Sequence, residues 1–295
     1  MLGPYRSLLF VPGNKPTWAE KALRASPDAI ILDLEDAVPE DEKATARTMV
    51  RDTIAHVRTL NATVGILVRV NGLETKHTGA DLEEIVVDGL DGIFAPKMEE
   101  ATDVLRYDAL IEHFEVRNGV EGLQYIFPVE TVRAIQNARG IAAGSHRVAG
   151  MVGATAEHAD ITREVGFEWT EEGFETLYLR SRVLLACREY GLHALTGLWE
   201  RVDDLDGLRN FALTGRRFGF RGMIAIHPSH ISVINEAFTL SPEDIEFLQG
   251  LVDAYEESIV SGKGALRYRG SHVDRAHYAT AIQQLADARL QQKEV

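Results

Sequence analysis

The sequence predicts an α/β chain folded as a (β/α)8 TIM barrel with a C-terminal helical extension. Three observations carry that expectation. Eight short apolar, β-branched runs recur over the first three quarters of the 295 residues. Most are continuous instead of alternating, as a parallel strand covered on both faces requires. Segments of helical period separate them, and eight such units over about 230 residues match the roughly 250 of a (β/α)8 barrel better than a six-stranded doubly wound sheet.

In chain order the runs are Ser7 to Val11, Ala29 to Leu32, Gly65 to Val70, Gly92 to Ala95, Gln124 to Val129, Arg147 to Val152, Leu192 to Leu195 and Gly222 to Ile226. The helices expected between them are Asp41 to Val57, Asp81 to Asp88, Glu99 to Glu115, Glu171 to Tyr190 and Leu205 to Phe218. Each carries apolar residues three and four apart with charges between. After Ile226 the pattern is helical alone: Ile231 to Ala237, Pro242 to Ser261 behind a Ser241 cap, and Val273 to Leu290. Between the last two, GKGALRYRG (262–270) reads as a mobile loop. No repeat or linker marks a second domain, so 1–237 is expected to form the barrel and 238–295 a helical extension or lid of the same unit.

Composition narrows the class. With 31 Lys and Arg against 45 Asp and Glu the net charge is −14, at 45% hydrophobic residues. That balance argues against non-specific nucleic-acid binding and leaves room for local basic pockets. The single cysteine, Cys187, excludes a disulfide framework and any Cys-rich metal site, and fits a reducing, cytoplasmic setting. No window approaches the roughly 20 apolar residues of a membrane span, and the N-terminal apolar run has no cleavage pattern after it.

A barrel gathers its site at the C-terminal ends of the strands, so the polar residues just after each run are the candidates. They are Asp33, Glu35 and Asp36; Arg69 and Asn71; Lys97; Glu130; Glu157, His158 and Asp160; and His227. Carboxylates and cations around one mouth can bind a hard divalent cation and still hold an anionic substrate. Each has a structural reading beside the functional one. Glu130 could serve a helix N-terminus, Arg69 could be an ion-pair partner of Asp33 or Glu35, Lys97 could be solvated, and His227 suits a helix entry. Cys187 reads as core filler.

At these residues the chain resembles the citrate lyase β-chain-like branch of the HpcH/HpaI aldolase superfamily. The likeness rests on RSLLFVPG from Arg6, DLEDAV from Asp33 with EKATAR from Glu42, VRVN from Val68, APK from Ala95, PVET from Pro128 and AIHPSHI from Ala225, in the family's order. It implies a homotrimer or hexamer of barrels that use Mg2+ to make or break a carbon–carbon bond between an acyl-CoA enolate and a 2-keto acid, on substrates such as malyl-CoA or citramalyl-CoA. Carried over by position, Glu130 becomes a metal ligand and Arg69 the group that holds substrate oxygens. Arg6 and Lys43 help hold phosphates or the acid end of the substrate, Lys97 and Glu130 join the substrate-binding set, and Asp274 matches an acid that enters a neighbouring subunit's site.

Two positions depart from the family pattern. Ala156 stands where the second metal-binding Asp belongs, so Asp160 is the expected replacement, with Glu157 or water as alternatives; were the stretch helical, Asp160 would share the face of Ala156 one turn on. Met223 stands where many relatives carry Lys. The expected activity is Mg2+-dependent carbon–carbon lysis of a 3-hydroxyacyl-CoA dicarboxylate. Thioester hydrolysis, an aldolase acting on free 2-keto acids, and a binding protein with weakened catalysis stay open beside it.

Overall fold

The computed structural model describes residues 2–153 and 155–293. The chain divides into two compact units, Met1–Phe238 and Thr239–Val295.

In the first unit eight parallel strands close into a barrel in chain order. They are β1 (Ser7–Pro12), β2 (Ala29–Asp33), β3 (Gly65–Arg69), β4 (Gly92–Phe94), β5 (Gln124–Val129), β6 (Val148–Gly153), β7 (His193–Thr196) and β8 (Gly222–Ala225). β8 closes on β1 through Ser7 opposite Met223. Every strand lies within one residue of its predicted run. Because strand side chains alternate between faces, each strand feeds two cores. Leu8, Ile31, Leu67, Phe94, Ile126, Val152, Leu195 and Ile224, one from each strand, pack together inside the barrel. Their neighbours, such as Ile30, Val68, Ile93, Phe127 and Met223, face the other way into a larger core with the helices. Met223 is therefore turned from the barrel interior, and its departure from the family pattern leaves the mouth untouched.

The helices of this unit are α1 (Pro16–Leu23), α2 (Lys43–Leu60), α3 (Thr78–Ile85), α4 (Ala101–Asn118), α5 (Val132–Ala142), α6 (Asp160–Val165), α7 (Leu177–Tyr190), α8 (Leu205–Phe218) and α9 (His230–Phe238). α2 shows how the pattern works: Lys43, Ala46, Val50, Ile54 and Val57 recur at three- and four-residue steps and form its buried face. α7 starts six residues later than the Glu171 expected. Thr170 donates from its backbone and its hydroxyl to Glu175 at 2.9 and 2.8 Å, and Arg180 donates to the Gly173 carbonyl at 2.9 Å, which holds the preceding stretch in a turn. Cys187 on α7 is fully buried, and burial pushes its thiol up to about 12, as suits a core residue.

The second unit holds α10 (Pro242–Val260), β9 (Leu266–Tyr268), β10 (Ser271–Val273) and α11 (Arg275–Lys293). Ser241 and Asp244 form a capping box at the start of α10. The expected mobile loop is instead the first half of an antiparallel hairpin, in which Ser271 pairs with Tyr268. Arg269 and Gly270 take φ of 44° and 93°, the left-handed pair that a tight hairpin turn needs. Leu251, Val252 and Tyr255 pack against Val273, Ala281 and Leu285 to give this unit its own core. Among the described residues no helix is long and apolar enough to cross a membrane.

At the mouth of the barrel the chain leaving β7 passes so close to Thr155 that a Cβ on Gly197 would overlap the Thr155 carbonyl oxygen. Gly197→Ala should therefore cost roughly 1–3 kcal/mol of overpacking. Urea denaturation would measure it; an unchanged midpoint would mean that the two strand ends can separate freely.

Candidate active site

Alternation decides which side chains enter the mouth. Ile31, Leu67 and Ile126 face the barrel interior, so Asp33 and Arg69, two residues further on, face the same way, as does Glu130 four residues after Ile126. Asp33 and Arg69 are paired across β2 and β3. The Arg69 guanidinium gives Nε and Nη2 to the two oxygens of Asp33, both at 2.6 Å, while Nη1 faces Glu35 at 3.1 Å and Asp36 at 3.2 Å. Phe10 of β1 lies under it, 4.8 Å from ring centre to guanidinium carbon. The same Asp33 oxygens accept the backbone N–H groups of Glu35 at 2.9 Å and Ala37 at 3.0 Å. One buried carboxylate thus shapes the turn after β2 and aims the arginine.

These residues open onto a cavity of about 370 Å3 whose wall includes Glu35, Asp36, Arg69, Lys97, Glu130, His158, Asp160 and Glu200, with Phe94, Val152 and Ile224 beneath. A neighbouring, largely apolar cavity of about 700 Å3 shares Phe10, Asp36, Arg69 and Leu198 and runs toward Trp18 and Ile226. Burial, opposed by Arg69 and helped by Asp36, Asp33 and Glu130, pushes the Glu35 carboxyl up to about 7. Burial also raises Glu130, against Lys97 and with Asp160. Among the described residues nothing hydrogen-bonds or ion-pairs with the Glu130 carboxylate. Capping does not explain its place, since Thr131 caps α5 by accepting the Ala134 N–H at 3.1 Å. Asp160 pairs with Lys97 and, at 2.5 Å, with Arg163; the Lys97 hydrogen bond is the main reason its carboxyl is lowered.

The residues named from sequence fare differently. Arg69, Lys97, Glu130 and Asp160 are brought to one cavity. Arg6 is not among its lining residues. It precedes β1 at the end opposite the mouth, where its guanidinium grips Asp28 at 2.7 and 2.9 Å. Lys43 is buried at 9% exposure, and its three protons go to the carbonyls of Leu34 and Glu35, each at 2.9 Å, and to Asn71 Oδ1 at 2.8 Å. An ammonium with all three donors filled has none left over for a phosphate in this arrangement. Asp274 belongs to the second unit and sits at the start of α11, where it accepts the Ala276 N–H at 3.0 Å and pairs with His277 Nδ1 at 2.7 Å. Ala156 lies in the turns before α6, so it and Asp160 do not share a helix face. His227 bonds Ser229 Oγ through Nδ1 at 2.7 Å, as a helix entry does. Sequence reasoning gave no role to Glu200, which takes both the His158 backbone N–H at 2.9 Å and its Nδ1 at 3.0 Å. Its only signal was its place soon after the seventh run.

A carboxylate without a partner among the described residues, Glu130, and a second, Asp160, held by Lys97 and Arg163, suit a hard divalent ion such as Mg2+.

Comparison with known proteins agrees with this geometry. The HpcH/HpaI aldolase/citrate lyase family profile matches residues 6–228. A (3S)-malyl-CoA thioesterase of Cereibacter sphaeroides is 35% identical over 97% of this chain and 95% of its own. An L-malyl-CoA/beta-methylmalyl-CoA lyase of Rhodobacter capsulatus is 31% identical over 92% and 90%. CitE from Mycobacterium tuberculosis, solved with magnesium, acetoacetate and coenzyme A, superposes with a TM-score of 0.75 at 28% identity, covering 96% of this chain and 98% of CitE.

The half-buried Glu35 makes a prediction about stability and pH. Its carboxyl holds a proton up to about 7 when folded and loses it near 4.5 when unfolded. The folded state then binds more protons between those values, so stability falls as pH rises through that window. Glu35→Gln should remove the effect and gain on the order of 1–3 kcal/mol at pH 8 relative to pH 4.5 in metal-free buffer. Thermal denaturation across pH would check it, and an equal gain at both pH values would rule out the buried-carboxyl explanation.

Proposed function

The chain belongs to the HpcH/HpaI aldolase/citrate lyase family, and from that premise we propose that it is a Mg2+-dependent lyase that cleaves, or forms, a 3-hydroxyacyl-CoA dicarboxylate such as malyl-CoA or citramalyl-CoA. The observation that carries the reading is the single cavity holding Arg69 and the unpartnered Glu130, with an apolar cavity beside it suited to an acyl-CoA arm. Glu130 and Asp160 would hold the ion. When bound, Mg2+ supplies positive charge to the carboxylate and carbonyl oxygens of the keto-acid half.

Cleavage removes the proton of the 3-hydroxyl, breaks the adjacent carbon–carbon bond and sends the electron pair to the thioester oxygen as an enolate. Arg69 is built to meet that charge. Asp33 fixes Nε and Nη2, so Nη1 enters the cavity in one orientation and can donate to the developing oxyanion. Lys97, after the neighbouring strand β4, offers an ammonium to a substrate carboxylate in exchange for Asp160. Glu35, poised near neutrality beside Arg69, is the group that can take and return a proton. Thioester hydrolysis is the second reading, favoured by the thioesterase relatives. We also propose a homotrimeric or hexameric assembly and a cytoplasmic setting.

The two activities separate by product. With malyl-CoA and Mg2+, lysis should release glyoxylate with acetyl-CoA and no free thiol, whereas thiol without glyoxylate would establish hydrolysis. Arg69→Lys keeps the charge and loses the planar fork, because one ammonium cannot hold both Asp33 oxygens and still reach the oxyanion. Turnover should fall roughly 10²-fold with little change in folding. Near-normal turnover would make Arg69 structural. For the ion, calorimetry with Mg2+ should lose its signal in Glu130→Gln and weaken in Asp160→Asn; an unaltered Asp160→Asn would move the second ligand elsewhere.

A further inference from the structure

Lys43 places a positive charge where a methionine would fill the same space. Its three acceptors carry no charge, and they come from two different strand ends: two consecutive carbonyls of the turn after β2 and the Asn71 amide after β3. Leu34 and Glu35 lie in the bend after β2, where one ammonium holds both of their carbonyls and Asn71 Nδ2 also donates to that of Leu34, at 3.0 Å. Leu34 meanwhile gives its N–H to the Arg69 carbonyl at 2.9 Å. Asn71 is fastened in turn, because its N–H and Nδ2 both go to the fully buried Asp81, at 2.8 and 2.6 Å, and Arg47 holds the other Asp81 oxygen at 2.7 Å. Arg47 lies one helical turn after Lys43, so α2 presents two cations on one face to the ends of β2 and β3.

Resting on the lyase reading above, we propose that Lys43 is a positioning residue for the reaction: by gripping the Leu34 and Glu35 carbonyls and Asn71, it sets Glu35 and Arg69 against each other in the cavity. It touches no substrate. Its influence runs through the backbone of the turn that Asp33 organises, and so through the direction in which Arg69 presents Nη1. A residue that merely stabilised the barrel would lower the melting temperature and leave the reactive geometry of the surviving folded protein intact.

The test is a double-mutant cycle on malyl-CoA cleavage in the full-length protein. Lys43→Met should lower kcat roughly tenfold or more while KM shifts less than about threefold, as expected for misplacement of a group by a fraction of an ångström. In an Arg69→Lys background the same change should cost less than about threefold, because the geometry it protects is already lost. Independent, fully multiplying effects, or a fall in melting temperature with kcat unchanged, would overturn the proposal. Should Lys43→Met fail to fold, Asn71→Ser removes the amide oxygen that Lys43 grips and is read the same way. Wild-type protein that cleaves neither malyl-CoA nor citramalyl-CoA would defeat the lyase reading alone. The cycle is then read on the affinity for pyruvate in the presence of Mg2+, where coupling between positions 43 and 69 is again expected and its absence refutes the role.

Discussion

A carboxylate taken out of water must be paired, and that constraint acting on Asp33 organises the mouth of this barrel. Its side chain is 2% exposed, against 18% for Arg69. Leaving such a charge alone would cost several kcal/mol, so the chain surrounds it with four donors: two from one guanidinium and two from the turn that follows. The arginine cannot rotate without breaking both of its bonds. The turn cannot open without stripping the backbone donors from Asp33. Pairing thus converts a desolvation penalty into a fixed direction for Nη1, which meets Glu35 and Asp36 at the cavity wall.

The opposite wall is arranged on other terms. Among the described residues Glu130 has no hydrogen-bond or ion-pair partner, and Asp160 is held by Lys97 and Arg163. A rigid donor thus shares the site with one unpaired and one cation-paired carboxylate, an arrangement that can accommodate an incoming cation and an anionic substrate together. Tight pairing of Glu130 to a neighbouring lysine would have given a steadier surface and a poorer site. The apolar side chains beneath, Phe94, Val152 and Ile224, exclude water from the floor and strengthen each of these interactions.

The barrel was legible in the sequence because its strands are continuous apolar runs and their ends carry polar residues. Parity did the rest: Asp33, Arg69 and Glu130 sit an even number of residues beyond interior-facing side chains. Arg6 and Lys43 lie outside the cavity for opposite reasons. Arg6 precedes its strand and so belongs to the far end of the barrel, which its position alone could have told. Lys43 stands at the start of a helix near the mouth, and nothing in its spacing says that two carbonyls and an amide would consume its protons. The hairpin at 266–273 was hidden because a turn built on Arg269 and Gly270 has the same composition as a loop. Glu200 was hidden because its partner, His158, lies 42 residues earlier in the chain.

The most direct test is electron density for crystals soaked with Mg2+ and pyruvate. The account predicts an ion bound to Glu130 and Asp160, with a pyruvate oxygen within hydrogen-bonding distance of Arg69 Nη1 and the Arg69–Asp33 pair unchanged. An ion bound away from Glu130, or pyruvate seated with Arg69 swung off Asp33, would contradict it.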